Sequence, residues 1–163
     1  MVDVTIRQAG DDDAPFMLDM FRMLAEHIGE QHLMMATLED VRRDAFGPDR
    51  HYDTLIACAD SAPVGLAVYF ATYSTYAGAP CLFVNDLVVD PAARGLKVGK
   101  RLMMELAAIA VDRNCCRLDL HVHHANEARG FYESIGMTMS EELPYIARGA
   151  ALELLANGGR SKA

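Results

Sequence analysis

The stretch Leu87-Val88-Val89-Asp90-Pro91-Ala92-Ala93-Arg94-Gly95-Leu96-Lys97-Val98-Gly99-Lys100-Arg101-Leu102 constrains the fold of this chain more than any other. An apolar run suited to a strand stops at Pro91 and crosses a turn of small residues. It resumes with Val98, Leu102, Leu106 and Ile109 at helical spacing. The order is strand, tight loop, helix start. In such a junction the loop amides and the first unpaired donors of the helix face one way, and the helix dipole adds positive potential. Phosphates bind in this geometry, and Arg94, Lys97, Lys100 and Arg101 add charge to it. A Walker loop needs two glycines separated by four residues, then Lys and Ser or Thr. Here Gly95 and Gly99 are separated by three, and Lys100 is followed by Arg101. A dinucleotide fingerprint would need a third glycine that does not follow. The bland alternative is a plain strand-to-helix connection with surface charge.

A chain of 163 residues suits a single domain, 1–163, with a flexible tail at about 156–163. Charge interrupts every apolar run before it could span a membrane, and no secretory signal is visible at the amino end, so a cytoplasmic location is expected. Cys58, Cys81, Cys115 and Cys116 show no framework spacing and are expected to be reduced. The net charge of −8 argues against a nucleic-acid partner and tilts toward a cationic substrate such as an amine.

Along the chain, Val2 to Arg7 predicts a first strand with Val4 and Ile6 on one face. Asp11-Asp12-Asp13 before Ala14-Pro15 predicts a helix start, and Phe16, Met20, Leu24 and Ile28 then share one side up to Gly29. A second helix is expected from Thr37, with Asp40 three residues on as a near capping box, stopping before Gly47-Pro48. Thr54 to Ala59 and Val64 to Tyr73 read as a hairpin around Asp60-Ser61-Ala62-Pro63. Tyr73 and Tyr76 near Gly78 either line a pocket or pack a strand end. Cys81 to Val89 is the next strand, with Leu82, Val84, Asp86 and Val88 on one face and Phe83, Asn85, Leu87 and Val89 on the other. An acid in so apolar a strand needs a reason. Asp86 is either a base or ammonium-binding acid at a cleft, or a carboxylate held by loop amides. Arg117 to Val122 is a further strand; its His121 and His123, with His124 beside them, lack the other ligands of a metal site at a recognisable spacing, so no metal is expected. Vicinal Cys115-Cys116 is either redox-active or apolar filler at a turn. Ala125 to Gly136 reads as a helix capped by Asn126, followed by a strand from Met137, a last strand near Pro144 to Ala147 and a short helix from Gly149 to Leu155.

Two segments carry a resemblance. The central loop is similar to motif A of the GCN5-related N-acetyltransferases (GNAT), in which Arg94, Val98 and Gly99 match and Lys97 stands where the family usually has its first glycine. Ala128, Phe131, Tyr132, Glu133 and Gly136 match the family's second pattern, with Asn126 one residue late and Ala125 in the asparagine's place. Asn85-Asp86-Leu87-Val88-Val89 resembles the diamine acetyltransferase branch, in which an acidic pair serves the substrate amine; here Asn85 replaces the first acid. The resemblance implies an α/β fold with a mixed, mostly antiparallel sheet flanked by helices and a splayed central strand pair. It implies acetyl-CoA as donor cosubstrate, without a metal, held by Leu87, Val88, Val89, Arg94, Gly95, Leu96, Lys97, Val98, Gly99, Lys100, Asn126 and Phe131. By the same resemblance Asp86 and Tyr132 are the catalytic base and acid, the Val88 N–H is an oxyanion donor, and Glu26, His27, Tyr76 and Asn85 border the acceptor. The implied partners are a small-molecule amine and a second copy in a homodimer, with no nucleic acid or membrane. A non-catalytic acyl-CoA-binding or sensing module on the same fold is the competing reading, and release of free CoA with any amine separates the two.

Overall fold

A computed structural model describes residues 2–122, 126 and 128–158. The chain divides into two compact units, Met1–Asn126 and Glu127–Ala163. The first is an α/β layer built on a five-stranded sheet: β1 (Val4–Gln8), β2 (Asp53–Ala59), β3 (Ala62–Ser74), β4 (Ala79–Val89) and β5 (Leu118–Leu120), in that spatial order. The pairs are antiparallel except β4 with β5, which are parallel and joined through α3 (Val98–Asp112).

Helix α1 (Ala14–His27) follows one 3-10 turn of Asp11–Asp13. The Asp13 carboxylate accepts both terminal nitrogens of Arg7 at 2.7 Å and the Gly10 N–H at 2.8 Å, tying the helix start to β1. Its buried face is Ala14, Met17, Leu18 and Met20. The expected stripe of Phe16, Met20, Leu24 and Ile28 is rotated from this, and Ile28 is 45% exposed. The cause is a second neighbour: α1 packs against α2 (Leu38–Phe46) as well as the sheet, and Ala14, Met17, Leu18 and Met20 join one core cluster with Val41 and Ala45 of α2. The capping box of α2 is as expected. Thr37 Oγ1 accepts the Asp40 N–H, and the Asp40 carboxylate accepts the Thr37 N–H at 2.9 Å. Gly47 ends the helix so close to the Arg43 carbonyl that any Cβ there would collide with it.

The β2–β3 turn is tighter than expected. Asp60 and Ser61 both take positive φ, +46° and +74°, and Ala59 already pairs with Ala62, so Ala62 and Pro63 belong to the strand. On one side of the sheet Ile56, Cys58, Leu66, Val68 and Val88 meet the buried residues of α1 together with Val41 and Ala45 of α2. On the other side Leu55, Ala67, Tyr69, Leu82 and Val84 lie against α3, which buries Val98, Leu102, Met103, Leu106 and Ala110. The Tyr69 hydroxyl accepts Gln8 Nε2 at 2.8 Å, and the Arg113 guanidinium stands 5.6 Å over its ring.

In the second unit, α4 (Arg129–Ser134) starts at Ala128, so Asn126 is not its cap. The Met137 N–H donates to the Tyr132 carbonyl and the Glu142 N–H to Ser140 Oγ. The strands expected from Met137 and near Pro144 do not form among the described residues, where these local turn bonds stand in place of a ladder. The closing helix, α5 (Ala150–Ala156), is where it was expected. His123, His124, Ala125, Glu127 and the tail from 159 onward lie outside the described residues.

Candidate active site

The site begins with one extra residue. Along β3 and β4 the register runs Leu66↔Val88, Ala67↔Leu87, Val68↔Asp86, then Tyr69↔Val84, leaving Asn85 unopposed. A β-bulge of this kind shifts the side-chain parity of everything beyond it. Asp86 and Val88 therefore share a face with Phe83, Phe70 and Val68, while Leu82 and Val84 share the opposite face with Leu87. This corrects the strict alternation expected from sequence, which placed Asp86 with Leu82 and Val84.

The bulge turns the Asp86 carboxylate toward the α1/α2 side, into a cavity of about 360 Å³. Phe21, Val41, Tyr52, Val68, Phe70 and Asn85 are among the residues that line it with Asp86, and Asp40 and Asp44 add charge to its wall. Among the described residues the one bond to the Asp86 carboxylate is from Asn85 Nδ2 at 2.8 Å, and no loop amide holds it. Burial raises its pKa above the ordinary carboxylate range, and the Asn85 bond lowers it only in part. Asp40 and Asp44 differ, because Arg43 bonds both, at 2.9 Å and 2.7 Å. Burial, with these three carboxylates adding, pushes the Tyr52 phenol up to about 12, so it faces the cavity as a neutral donor.

Beyond the bulge the main chain has an open edge. The Asp90 N–H donates to the Val64 carbonyl, which makes Val64 and Asp90 a hydrogen-bonded pair of the antiparallel ladder. Alternation then commits the amide and carbonyl of Val88 to Leu66 and turns those of Leu87 and Val89 away from β3. The expectation for Val88 is corrected accordingly: its N–H is used in the sheet, and Leu87 and Val89 carry the outward groups. On that outer side β5 pairs only as far as Val84↔Leu120, so the two strands part at the bulge among the described residues.

The chain then enters the loop through Asp90, whose carboxylate accepts the Ala92 N–H at 2.8 Å. Gly95 has φ +88° and Lys97 φ +57°. The left-handed conformation at Lys97 is one that glycine adopts without cost, which explains the usual residue at that place in motif A. The first intrahelical bond of α3 is from the Arg101 N–H to the Lys97 carbonyl, so the amides of Val98, Gly99 and Lys100 lie ahead of the ladder. Arg94, Lys97 and Lys100 are exposed around them. Arg101 is spent elsewhere, donating to the Val4 carbonyl. Free amides, a left-handed turn and three cations suit a pyrophosphate.

In the second unit, Phe131 and Tyr132 stack edge to face at 5.2 Å on α4, and burial raises the pKa of the Tyr132 phenol. Glu26 and His27 lie exposed at the end of α1, and Tyr76 is fully exposed at the β3–β4 turn; none of the three lines the cavity. His121 stacks edge-on against Phe83 at 5.0 Å. Among the described residues no group of three or more His, Cys, Asp or Glu could hold a metal ion, and no helix is long and apolar enough to cross a membrane. Sequence reasoning missed Phe21, Tyr52 and Phe70 as cavity residues. The usable signal was the second helix itself, whose capping-box acid Asp40 faces the same space.

The family model described as the acetyltransferase (GNAT) family matches residues 18–137. A thialysine N-epsilon-acetyltransferase from Bos taurus is 32% identical over 145 residues, covering 83% of this chain and 85% of that one. An integron cassette protein from V. cholerae superposes with a TM-score of 0.79 at 26% identity, over 94% of this chain and 97% of that chain. An aminoglycoside N-acetyltransferase in complex with CoA superposes with a TM-score of 0.71 at 18% identity, over 91% and 96% of the two chains.

Proposed function

The chain belongs to the GNAT acetyltransferase family and is an enzyme that transfers acetyl groups to amines; from that premise we propose that its donor is acetyl-CoA and its acceptor a primary amine of a small molecule, attacking directly in a ternary complex. The observation that carries the reading is Asp86, an acid aimed by a bulge into a cavity, on the strand that leads to the amides at the start of α3 that lie ahead of its ladder. A volume of about 360 Å³ is the size of a small-molecule site. The aromatic and acidic lining suits a cationic arm, and the Bos taurus relative's name specifies an N-epsilon amine.

The residues divide the work as follows. Gly95, Leu96, Lys97, Val98, Gly99 and Lys100, with Arg94, hold the donor's pyrophosphate, and Leu87 and Val89 pair with its extended arm as an added strand would; the family resemblance adds Asn126 and Phe131 to the donor-binding residues. Acetyl-CoA, when bound, supplies the thioester. An ammonium has no lone pair, so the acceptor must lose a proton first. Asp86 receives it, directly or through water, and the burial that raises the acid's pKa brings it closer to that of an amine. An outward N–H of Leu87 or Val89 faces the carbonyl oxygen as it gains charge. By the family resemblance Tyr132 is the proton donor to the departing sulfur, and burial keeps its phenol protonated. A phenol raised above its ordinary pKa of about 10, against a thiol near 8.5, makes this a hydrogen bond that strengthens as charge develops rather than an early proton transfer. The family resemblance also supports a homodimer, which sedimentation would read directly.

Thermal stability with acetyl-CoA, CoA and ATP, followed by thiol release over a panel of lysine analogues, diamines and polyamines, tests the proposal. Stabilisation by acetyl-CoA but not ATP, with thiol release on one class of amine, is the expected result. Absence of stabilisation by saturating acetyl-CoA would overturn the assignment of the loop. Stabilisation without release on any amine would favour the sensing module.

A further inference from the structure

The parallel pair of β4 and β5 begins at two thiols. The Cys116 N–H donates to the Pro80 carbonyl at 2.9 Å and the Leu82 N–H to the Arg117 carbonyl at 3.0 Å, which sets Cys81 and Cys116 side by side across the strands. Their sulfurs are 3.4 Å apart. Cys81 is buried and Cys116 is exposed. Neighbouring strands stand about 4.8 Å apart and a disulfide spans about 4.4–6.8 Å between Cα atoms, so two thiols in contact across adjacent strands are within bonding reach. The vicinal pair singled out in the sequence is the poorer one: Cys115 belongs to the turn after α3, and the ladder bond at the Cys116 N–H commits that residue toward β4. Burial, with the Cys116 thiol beside it, holds the Cys81 thiol above its ordinary pKa, which leaves the accessible Cys116 as the first nucleophile.

We propose that Cys81 and Cys116 form a two-electron oxidation site that hydrogen peroxide converts into an intrachain disulfide. The Cys116 sulfur attacks one peroxide oxygen and the O–O bond breaks. The departing hydroxide takes the Cys116 proton and leaves as water, and Cys116 becomes a sulfenic acid. The Cys81 sulfur then attacks the Cys116 sulfur. The S–S bond forms, the S–O bond breaks, and the hydroxide leaves as a second water with the Cys81 proton. Two thiols lose two electrons, and one peroxide becomes two waters. A dithiol reductant reverses the bond by exchange. The closed ring contains β4 from Cys81 onward, the whole amide-rich loop and α3, so oxidation staples the segment on which the proposed donor site is built. The site itself rests on the β4–β5 geometry alone and stands whether or not acetyl-CoA is the donor.

The test is treatment of the full-length protein with one equivalent of hydrogen peroxide, alkylation of remaining thiols after unfolding, intact mass and a non-reducing tryptic map. The expected product has lost two hydrogen masses and joins peptide 114–117 to peptide 51–94, with fragmentation assigning the bond to Cys81 rather than Cys58. Its melting temperature rises by roughly 5–10 °C, and a reductant removes the rise. Cys115→Ser retains both effects; Cys116→Ser, at an exposed position, loses both. A bond confined to Cys115 and Cys116, sulfinic acid on Cys116 with Cys81 still alkylated, or loss of the cross-link in Cys115→Ser would each overturn the proposal.

Discussion

Two aspartates of this chain sit beside the same sheet and behave oppositely. Asp13, at the start of α1, is gripped by both terminal nitrogens of Arg7 and by the Gly10 amide. The Arg7 bonds lead in holding its carboxyl below the ordinary range, even against burial. Asp86, on the bulge of β4, has among the described residues one neutral donor, Asn85, and burial holds its carboxyl above that range. The first acid is built to stay charged and anchor a helix. The second is left short of partners where an incoming cation could supply one, and that deficit distinguishes a site from a scaffold.

Removing each charge should separate the two roles. Asp86→Asn is expected to lower kcat/KM by about 10²- to 10⁴-fold while leaving the melting temperature unchanged or slightly raised, since it deletes a charge that burial disfavours. A marked drop in melting temperature with activity retained would make Asp86 structural and collapse the comparison. Tyr132→Phe is expected to lower kcat about tenfold or more with little change in the KM for acetyl-CoA, and to leave the acid limb of the pH profile in place. Asp13→Asn should do the reverse of Asp86→Asn. It should cost about 1–2 kcal/mol of stability, read by urea denaturation, with kcat/KM unchanged within a factor of two or so.

The pH dependence sharpens the contrast. Asp86 binds its proton more tightly in the folded chain, so its contribution falls as pH rises from the ordinary aspartate value, about 3.9, through its raised one. Asp13 binds its proton less tightly when folded. Its contribution is complete above about 3.9 and is lost as pH falls toward its lowered value. Activity should therefore fall on the acid side at a pH above 3.9, where the protein is still folded, and unfolding should follow at lower pH. Asp86→Asn should abolish the first limb and Asp13→Asn should move only the second. The smallest effect is expected at Lys97→Gly. Relief of the left-handed backbone, φ +57°, should raise stability by no more than about 1 kcal/mol, measured by the urea midpoint.

Much of this was legible in the chain alone, because it depends on neighbours in sequence. The capping box of Thr37 and Asp40, the stop at Gly47 and the strand-loop-helix at Asp90 to Leu102 are local preferences that no distant contact overrides. Lys97 shows the same point from the other side, since its departure from the family glycine left the left-handed turn intact. The face on which Asp86 lies was not legible. A bulge is a mismatch between two strands, and the residue it frees, Asn85, carries no mark of it in β4 alone. The rotated face of α1, the main-chain commitment of Val88 to the sheet and the meeting of Cys81 with Cys116 were decided in the same way, by partners far along the chain. Sequence by itself determined which residues could do chemistry here. Only the tertiary structure, through register and packing between distant segments, decided which way they point.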